Sequence, residues 1–286
     1  MSIIRPFRAF RPTPELAPSI AALPYDVYNS SQARRIVNAE PMSFLKIDRA
    51  ETLLDEGIDI YSPKVYETAR NTLDGMIQDG AFIQDETDCY YIYALTMNGR
   101  TQTGLVGCAS IDDYVNSVIL RHENTLEAKE QDRIRHIDTC SAQTGPIFLT
   151  HRPNEELRHI LNHIKQGAAL YDFTSDDAVR HQVWKIERPE DIENISRLYK
   201  ETDHLYIADG HHRAASAVKV GLSRRAANPG SSGTEEYNYF LSVLFPSDEL
   251  EIYGYDRVVI DRNGYTVNEF FDKIRDGFHI TEAGNT

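Results

Sequence analysis

The chain has 286 residues, 41% hydrophobic and 10% aromatic, and carries a formal net charge of −14. That length and apolar content support a sizeable core in one large or two modest domains and exclude a disordered polymer. The acidic balance repels phosphate backbones and argues against nucleic-acid partners, yet a local cluster of Arg, His and backbone N–H groups can still hold a small anion.

Cys89, Cys108 and Cys140 are far apart and form no CxxC pair. Neither a zinc ribbon nor a disulfide framework is supported, and each is expected to act as a small buried hydrophobe in a reducing compartment. The start "MSIIRPFRAF" has no apolar h-region, and no window approaches the roughly 18 apolar residues of a membrane span. The expectation is a cytoplasmic globular protein with no membrane partner.

Residues 3–28 hold five prolines and read as extended segments and turns. Residues 29–40 predict a helix capped by Asn29 or Ser30, and "SFLKID" (43–48) has a strand-like apolar centre. Over 61–80, Val65, Ala69, Leu73 and Ile77 share one helical face, with Ser62 before Pro63 and Gly80 at the close. Two β-rich runs, "CYYIYALTM" and "RTQTGLVGCASID", join at the hairpin signal "NGR".

Residues 123–136 predict a charged helix, and 154–166 and 188–202 two more, with a strand at 181–187. "HLYIADG" reads as a strand and "HHRAASAVKVG" as a helix ending before Gly221. A loop at 228–234 precedes the buried strand of "YNYFLSVLFP". "LEIYGYDRVVID" predicts another β run, and a last helix lies near 266–276. Helices and strands mix without regular βαβ alternation, so the expected class is α+β, a mixed sheet with flanking helices. The expected organisation is an N-terminal α/β part over 1–110 and a second part over 111–286. The abrupt ending "GNT" adds the expectation that the protein continues beyond Thr286.

The chemistry concentrates at "IADGHHRAASA". An apolar strand meets Asp209-Gly210, and His211, His212 and Arg213 fall in the first turn of a helix, where free N–H groups and the positive dipole end favour an anion. Arg213 adds a planar fork suited to phosphate, and a histidine can donate or relay a proton. The bland alternative has Asp209 capping the helix, one histidine buried and Arg213 paired with a carboxylate.

"LRHENTLEAKEQDRIRHID" (120–138) places Arg121, His122 and Glu123 at a strand-to-helix transition. It offers a general base in Glu123 or His122 beside a phosphate-binding Arg121, although a charged helix is usually just solvated. In "LPYDVY", Asp26 is read as a cap more readily than as a metal-facing carboxylate. No HExxH occurs, and the adjacent pairs His122–Glu123 and His211–His212 would point apart on a helix, so no metal ligands are assigned. The GxxxxGK[ST], GxGxxG and GxSxG signatures are absent.

"RPFRAFRP", "PYDV", "SFLKID", "VYETARNTL", "TGLVGCASIDDY", "RHENTLEAKEQDR", "YIADGHHRAASA" and "YFLSVLFP", in this order, resemble the bacterial and archaeal domain-of-unknown-function family numbered 1015. The Asp-Gly-His-His-Arg turn also looks like the phosphate-binding strand–turn–helix unit of the ParB/sulfiredoxin superfamily, and above all that of its free L-serine kinases. That resemblance implies that Asp209, Gly210, His211, His212 and Arg213 contact nucleotide phosphates, and that an acidic residue, offered here as Glu123, activates a hydroxyl. His211 stands where sulfiredoxin chemistry needs a cysteine, which argues against that activity. The expectation is a phosphotransferase of serine metabolism that uses ATP or ADP with Mg²⁺ on a small hydroxyl metabolite. The alternatives are a phosphatase of a small phosphoester such as phosphoserine, and a nucleotide-sensing module without turnover.

Overall fold

Asn98 and Gly99 adopt positive φ of 52° and 78°, the two-residue turn whose twist matches paired strands. The computed structural model, which describes residues 1–254 and 258–281, is built around the hairpin they close. The strands are β1 (Ile4–Arg5), β2 (Phe10–Pro12), β3 (Phe82–Gln84), β4 (Tyr90–Met97), β5 (Arg100–Ser110), β6 (Ile119–Leu120), β7 (Ile147–His151), β8 (Tyr171–Thr174), β9 (Arg180–Ile186), β10 (Leu205–Asp209) and β11 (Tyr239–Pro246). The helices are α1 (Ala17–Ile20), α2 (Ser30–Ala39), α3 (Leu45–Asp48), α4 (Pro63–Gln78), α5 (Ile111–Val115), α6 (Glu127–Cys140), α7 (Glu155–Ile164), α8 (Pro189–Lys200), α9 (His211–Ala227) and α10 (Val267–Ile274).

One mixed sheet runs in the order β6-β10-β7-β11-β5-β4-β9-β8, and β1 pairs with β5 past the end of β4. The pairs β6–β10 and β7–β11 are parallel, and the other neighbours are antiparallel. The fold is α+β, a large mixed sheet with flanking helices. Leu105, Leu149, Ile207 and Phe240 lie fully inside the main core against α8 and α9 residues such as Ile195 and Ala214. Ile47, Ala69, Phe82 and Cys140 belong to a second core around α3 and α4. All three cysteines are free and buried, as small hydrophobes.

The chain divides into Met1–Leu250 and Glu251–Thr286, and strands from both sides of residue 110 share the one sheet. Within the second unit, Thr266 caps α10 in a reciprocal box with Glu269. Among the described residues, no helix is long and apolar enough to cross a membrane.

Four local expectations need correction. "SFLKID" folds as α3, where Ile47 N–H donates to Phe44 O at 2.9 Å and Arg49 N–H to Leu45 O at 2.8 Å. A short apolar run does not distinguish strand from helix, and here Leu45 and Ile47 belong to different clusters. The charged helix begins at Glu127, not 123, because Leu126 N–H donates to His212 Nε2 at 3.0 Å and so ties the preceding loop to α9. Helix α9 runs through Gly221 to Ala227; a Cβ on Gly221 would collide with the Tyr237 carbonyl, so this glycine permits close approach and stops nothing. In "LEIYGYDRVVID", residues 250–254 and 258–261 form no strand, and 255–257 lie outside the described residues.

Candidate functional site

Strands β6 and β10 are parallel neighbours, with Leu205 opposite Ile119 and Tyr206 opposite Leu120. Their C-terminal ends therefore leave the sheet at the same edge, the place where open sheets bind ligands. The loop 121–126 after β6 and Gly210 after β10 emerge side by side, and α6 and α9 start from them. The buried run Ala214, Ala215, Ser216 and Ala217 lets the helices pack closely, and Ser216 Oγ donates to Glu130 O at 3.1 Å. Burial alone would raise the Glu130 pKa, but donors from Lys219 and Thr125 outweigh it and hold the carboxyl below its ordinary range.

At the turn, Gly210 has φ 94° and ψ 31°, a left-handed conformation that costs other residues roughly 1–2 kcal/mol. A Cβ there would lie 3.1–3.2 Å from the Arg213 guanidinium. Asp209 does not cap α9, which has no side-chain cap; a cap is typically worth about 1 kcal/mol. Instead Asp209 Oδ2 accepts from Arg213 at 2.7 Å, and the other terminal nitrogen of Arg213 donates to Pro146 O at 2.5 Å. The backbone N–H groups of His211, His212 and Arg213, which have no acceptor within the helix, are left uncapped.

A cleft of about 260 Å³ opens on this turn. Lys129, Asp132, Arg133 and His136 of α6, Glu123 of the loop, and an N-terminal wall that includes Tyr25, Asp26, Asp48, Glu51 and Tyr66 complete it. Most of its charges are satisfied. Arg49 pairs with Glu51 at 2.7 Å and donates to Tyr28 O at 2.6 Å. Arg133 pairs with Asp132 at 2.8 Å and lies 4.1 Å from the centre of the Tyr25 ring. Asp132 accepts from Tyr66 Oη at 2.9 Å, and Asp48 from Thr144 Oγ1 at 2.6 Å. Among the described residues, Asp26 and Lys129 line the cleft without a hydrogen bond or ion pair. Asp26 does not cap α2; Asn29 does, with a reciprocal bond from Gln32.

Residues 4–286 match the family described as protein of unknown function (DUF1015). The chain belongs to the DUF1015 family. No curated protein and no solved structure matches it.

In this DUF1015 chain the residues singled out in the sequence divide into those at the turn and one that leaves it. His211 Nδ1 lies 3.1 Å from Glu123 Oε1. The His122 ring packs edge-on against His211, with centroids 4.4 Å apart. His211 is 3% exposed, and its Nε2 has no hydrogen-bond partner. Burial holds its pKa below the ordinary value, against the opposing pull of Glu123. His212 lines the cleft, with Nε2 accepting from Leu126 N–H; the proton of the neutral ring then sits on Nδ1. Arg121 turns away, its guanidinium 5.0 Å from the Tyr114 ring centre and donating to Tyr114 Oη at 3.2 Å.

Adjacent spacing keeps His122 and Glu123 apart only on a helix. On the loop they reach His211, and donor atoms of the three lie within 4.8 Å of one another. Residues of α6 that read as a wet face are part of the site as well: Arg133 and His136 are 7% and 3% exposed. Their signal was the spacing of 129, 132, 133 and 136, which is one helical face.

Proposed function

We propose that this chain is a nucleotide-dependent phosphotransferase acting on a small hydroxyl metabolite, of free L-serine kinase type. The observation that carries the reading is an uncapped α9 N-terminus on a left-handed Gly210 turn, opening into a cleft where Lys129 and Asp26 have no partner among the described residues. An uncapped helix start and a free lysine suit the oxygens of a phosphate chain. The likeness of the Asp209–Arg213 turn to the ParB/sulfiredoxin superfamily supports the same assignment.

In this reading the first-turn N–H groups and Lys129 hold the phosphates, and Arg213 keeps the turn in shape through Asp209 and Pro146. Asp26, rather than the Glu123 expected from sequence, takes the hydroxyl proton, because Glu123 is already engaged with His211. As the substrate oxygen bonds to the terminal phosphorus, its proton passes to Asp26 and the bond to the nucleotide's bridging oxygen breaks. His212, with its proton on Nδ1, is placed to donate to developing negative charge. Mg²⁺ would reach the site with the phosphates, whose oxygens suit it.

The test is phosphorus NMR of the purified protein with ATP or ADP, with and without serine. The reading expects a new phosphomonoester and a matching loss of terminal phosphate only when serine is present. Phosphate released from phosphoserine without nucleotide makes the protein a phosphatase, and a nucleotide-dependent rise in melting temperature without turnover makes it a sensor. No spectral change and no nucleotide-induced stabilisation would remove the phosphate site altogether.

A further inference from the structure

We infer that His122, Glu123 and His211 form a binding site for one divalent transition-metal ion of the Mn²⁺, Fe²⁺, Co²⁺ and Zn²⁺ class. Their donor atoms lie within 4.8 Å of one another. Metal–nitrogen and metal–oxygen bonds near 2.1 Å put donors on one ion about 3–4 Å apart. His211 Nδ1 and Glu123 Oε1, at 3.1 Å, already have that separation. His122 and Glu123 are exposed loop residues, so a small movement of His122 closes the set.

His211 makes the second, independent observation. Its ring is 3% exposed, flanked by Glu123 on one side and His122 on another, and Nε2 makes no hydrogen bond. A buried imidazole is normally satisfied at both nitrogens. Here Nδ1 faces the exposed Glu123 carboxylate, a group able to bind the same ion. Two imidazoles and one carboxylate favour borderline ions over Mg²⁺, which prefers oxygen alone. Three protein donors also leave coordination positions open, and they lie beside the first turn of α9.

The inference stands apart from the phosphotransferase reading, because metal binding needs neither nucleotide nor serine. Tag-free protein, stripped with chelator, is titrated calorimetrically with ZnCl₂, MnCl₂ and MgCl₂ in buffer free of phosphate. One equivalent of Zn²⁺ or Mn²⁺ per chain is expected to bind, with Mg²⁺ weaker by at least about tenfold. H122A and E123Q replace exposed residues, and each is expected to weaken Zn²⁺ by about tenfold or more while melting at the unliganded wild-type temperature. His159 and His163, exposed and one turn apart on α7, are the competing surface chelate. The double variant H159A/H163A is expected to bind as wild type. Absence of saturable binding overturns the inference. So does binding unchanged in H122A and E123Q, or binding lost only in H159A/H163A.

Discussion

Arg213 and Asp209 close a 2.7 Å ion pair across Gly210, and the same guanidinium reaches the Pro146 carbonyl on the segment entering β7. It therefore braces the strand end, the helix start and a neighbouring loop at once. Asp209 is 70% exposed, so the pair itself adds at most about 1 kcal/mol to stability. Arg213→Ala is expected to leave the melting temperature within a few degrees of wild type, yet to weaken nucleotide binding by at least about tenfold. Arg213→Lys keeps the charge without the two-armed span and should remain impaired. Fluorimetric melts beside nucleotide titrations separate the two effects.

Gly210→Ala forces a Cβ into a left-handed turn and toward the Arg213 guanidinium at 3.1–3.2 Å. The expected loss is about 1–2 kcal/mol in urea unfolding, with nucleotide affinity falling as Arg213 is pushed aside. A variant as stable as wild type would show that the turn relaxes without cost.

Asp26 and Lys129 line the cleft without partners among the described residues, and their variants should behave differently. Asp26→Asn is expected to lower kcat by about 100-fold or more with nucleotide binding retained, as for a lost general base. Lys129→Gln is expected to weaken nucleotide binding and flatten its salt dependence, because one screened charge contact is gone. Equal losses of kcat and affinity in both variants would contradict the division of roles.

Gly221→Ala tests helix packing away from the cleft. A Cβ there would meet the Tyr237 carbonyl, and a rigid backbone oxygen gives way less readily than a side chain. The expected destabilisation is about 1–3 kcal/mol, read as a lowered urea midpoint with an unchanged m-value.

His136 sets a pH dependence. Burial, reinforced by Arg133, lowers its pKa from the ordinary 6.5, while Asp48, Asp132 and the bond to Ile47 O pull the other way. The unfolded chain therefore binds this proton more readily than the folded one. The contribution to stability is full above about pH 6.5 and is lost as pH falls below it. His136→Gln removes the titration, so the stability advantage of wild type over the variant should shrink from about pH 7 to pH 5. A difference that stays constant across that range would place the pH sensitivity elsewhere.

Much of the architecture could be read locally. Asn98-Gly99 announced the hairpin, Asn29 the start of α2, and the Val65–Ala69–Leu73 face, behind Ser62-Pro63, the helix α4. Each depends on contacts within a few residues. "SFLKID" failed because its three apolar positions fit strand or helix until the two clusters they fill are known. The start of α6 failed because a histidine on α9 holds Leu126. Gly221 reads as a stop unless Tyr237 is known to press against it.

The sequence by itself determined the α+β class, family membership and the strand–turn–helix at residues 205–213, since these rest on motif order, backbone propensity and short-range spacing. Only the tertiary structure decided that β6 and β10 run parallel side by side, and so that a loop near residue 123 meets a helix near residue 211. The same packing pulled Arg121 onto Tyr114, buried Arg133 and His136, and left Asp26 and Lys129 free of partners among the described residues. The Ile119–Leu205 and Glu123–His211 pairings join residues about ninety positions apart, where no local periodicity carries information and only the order of strands in the sheet does.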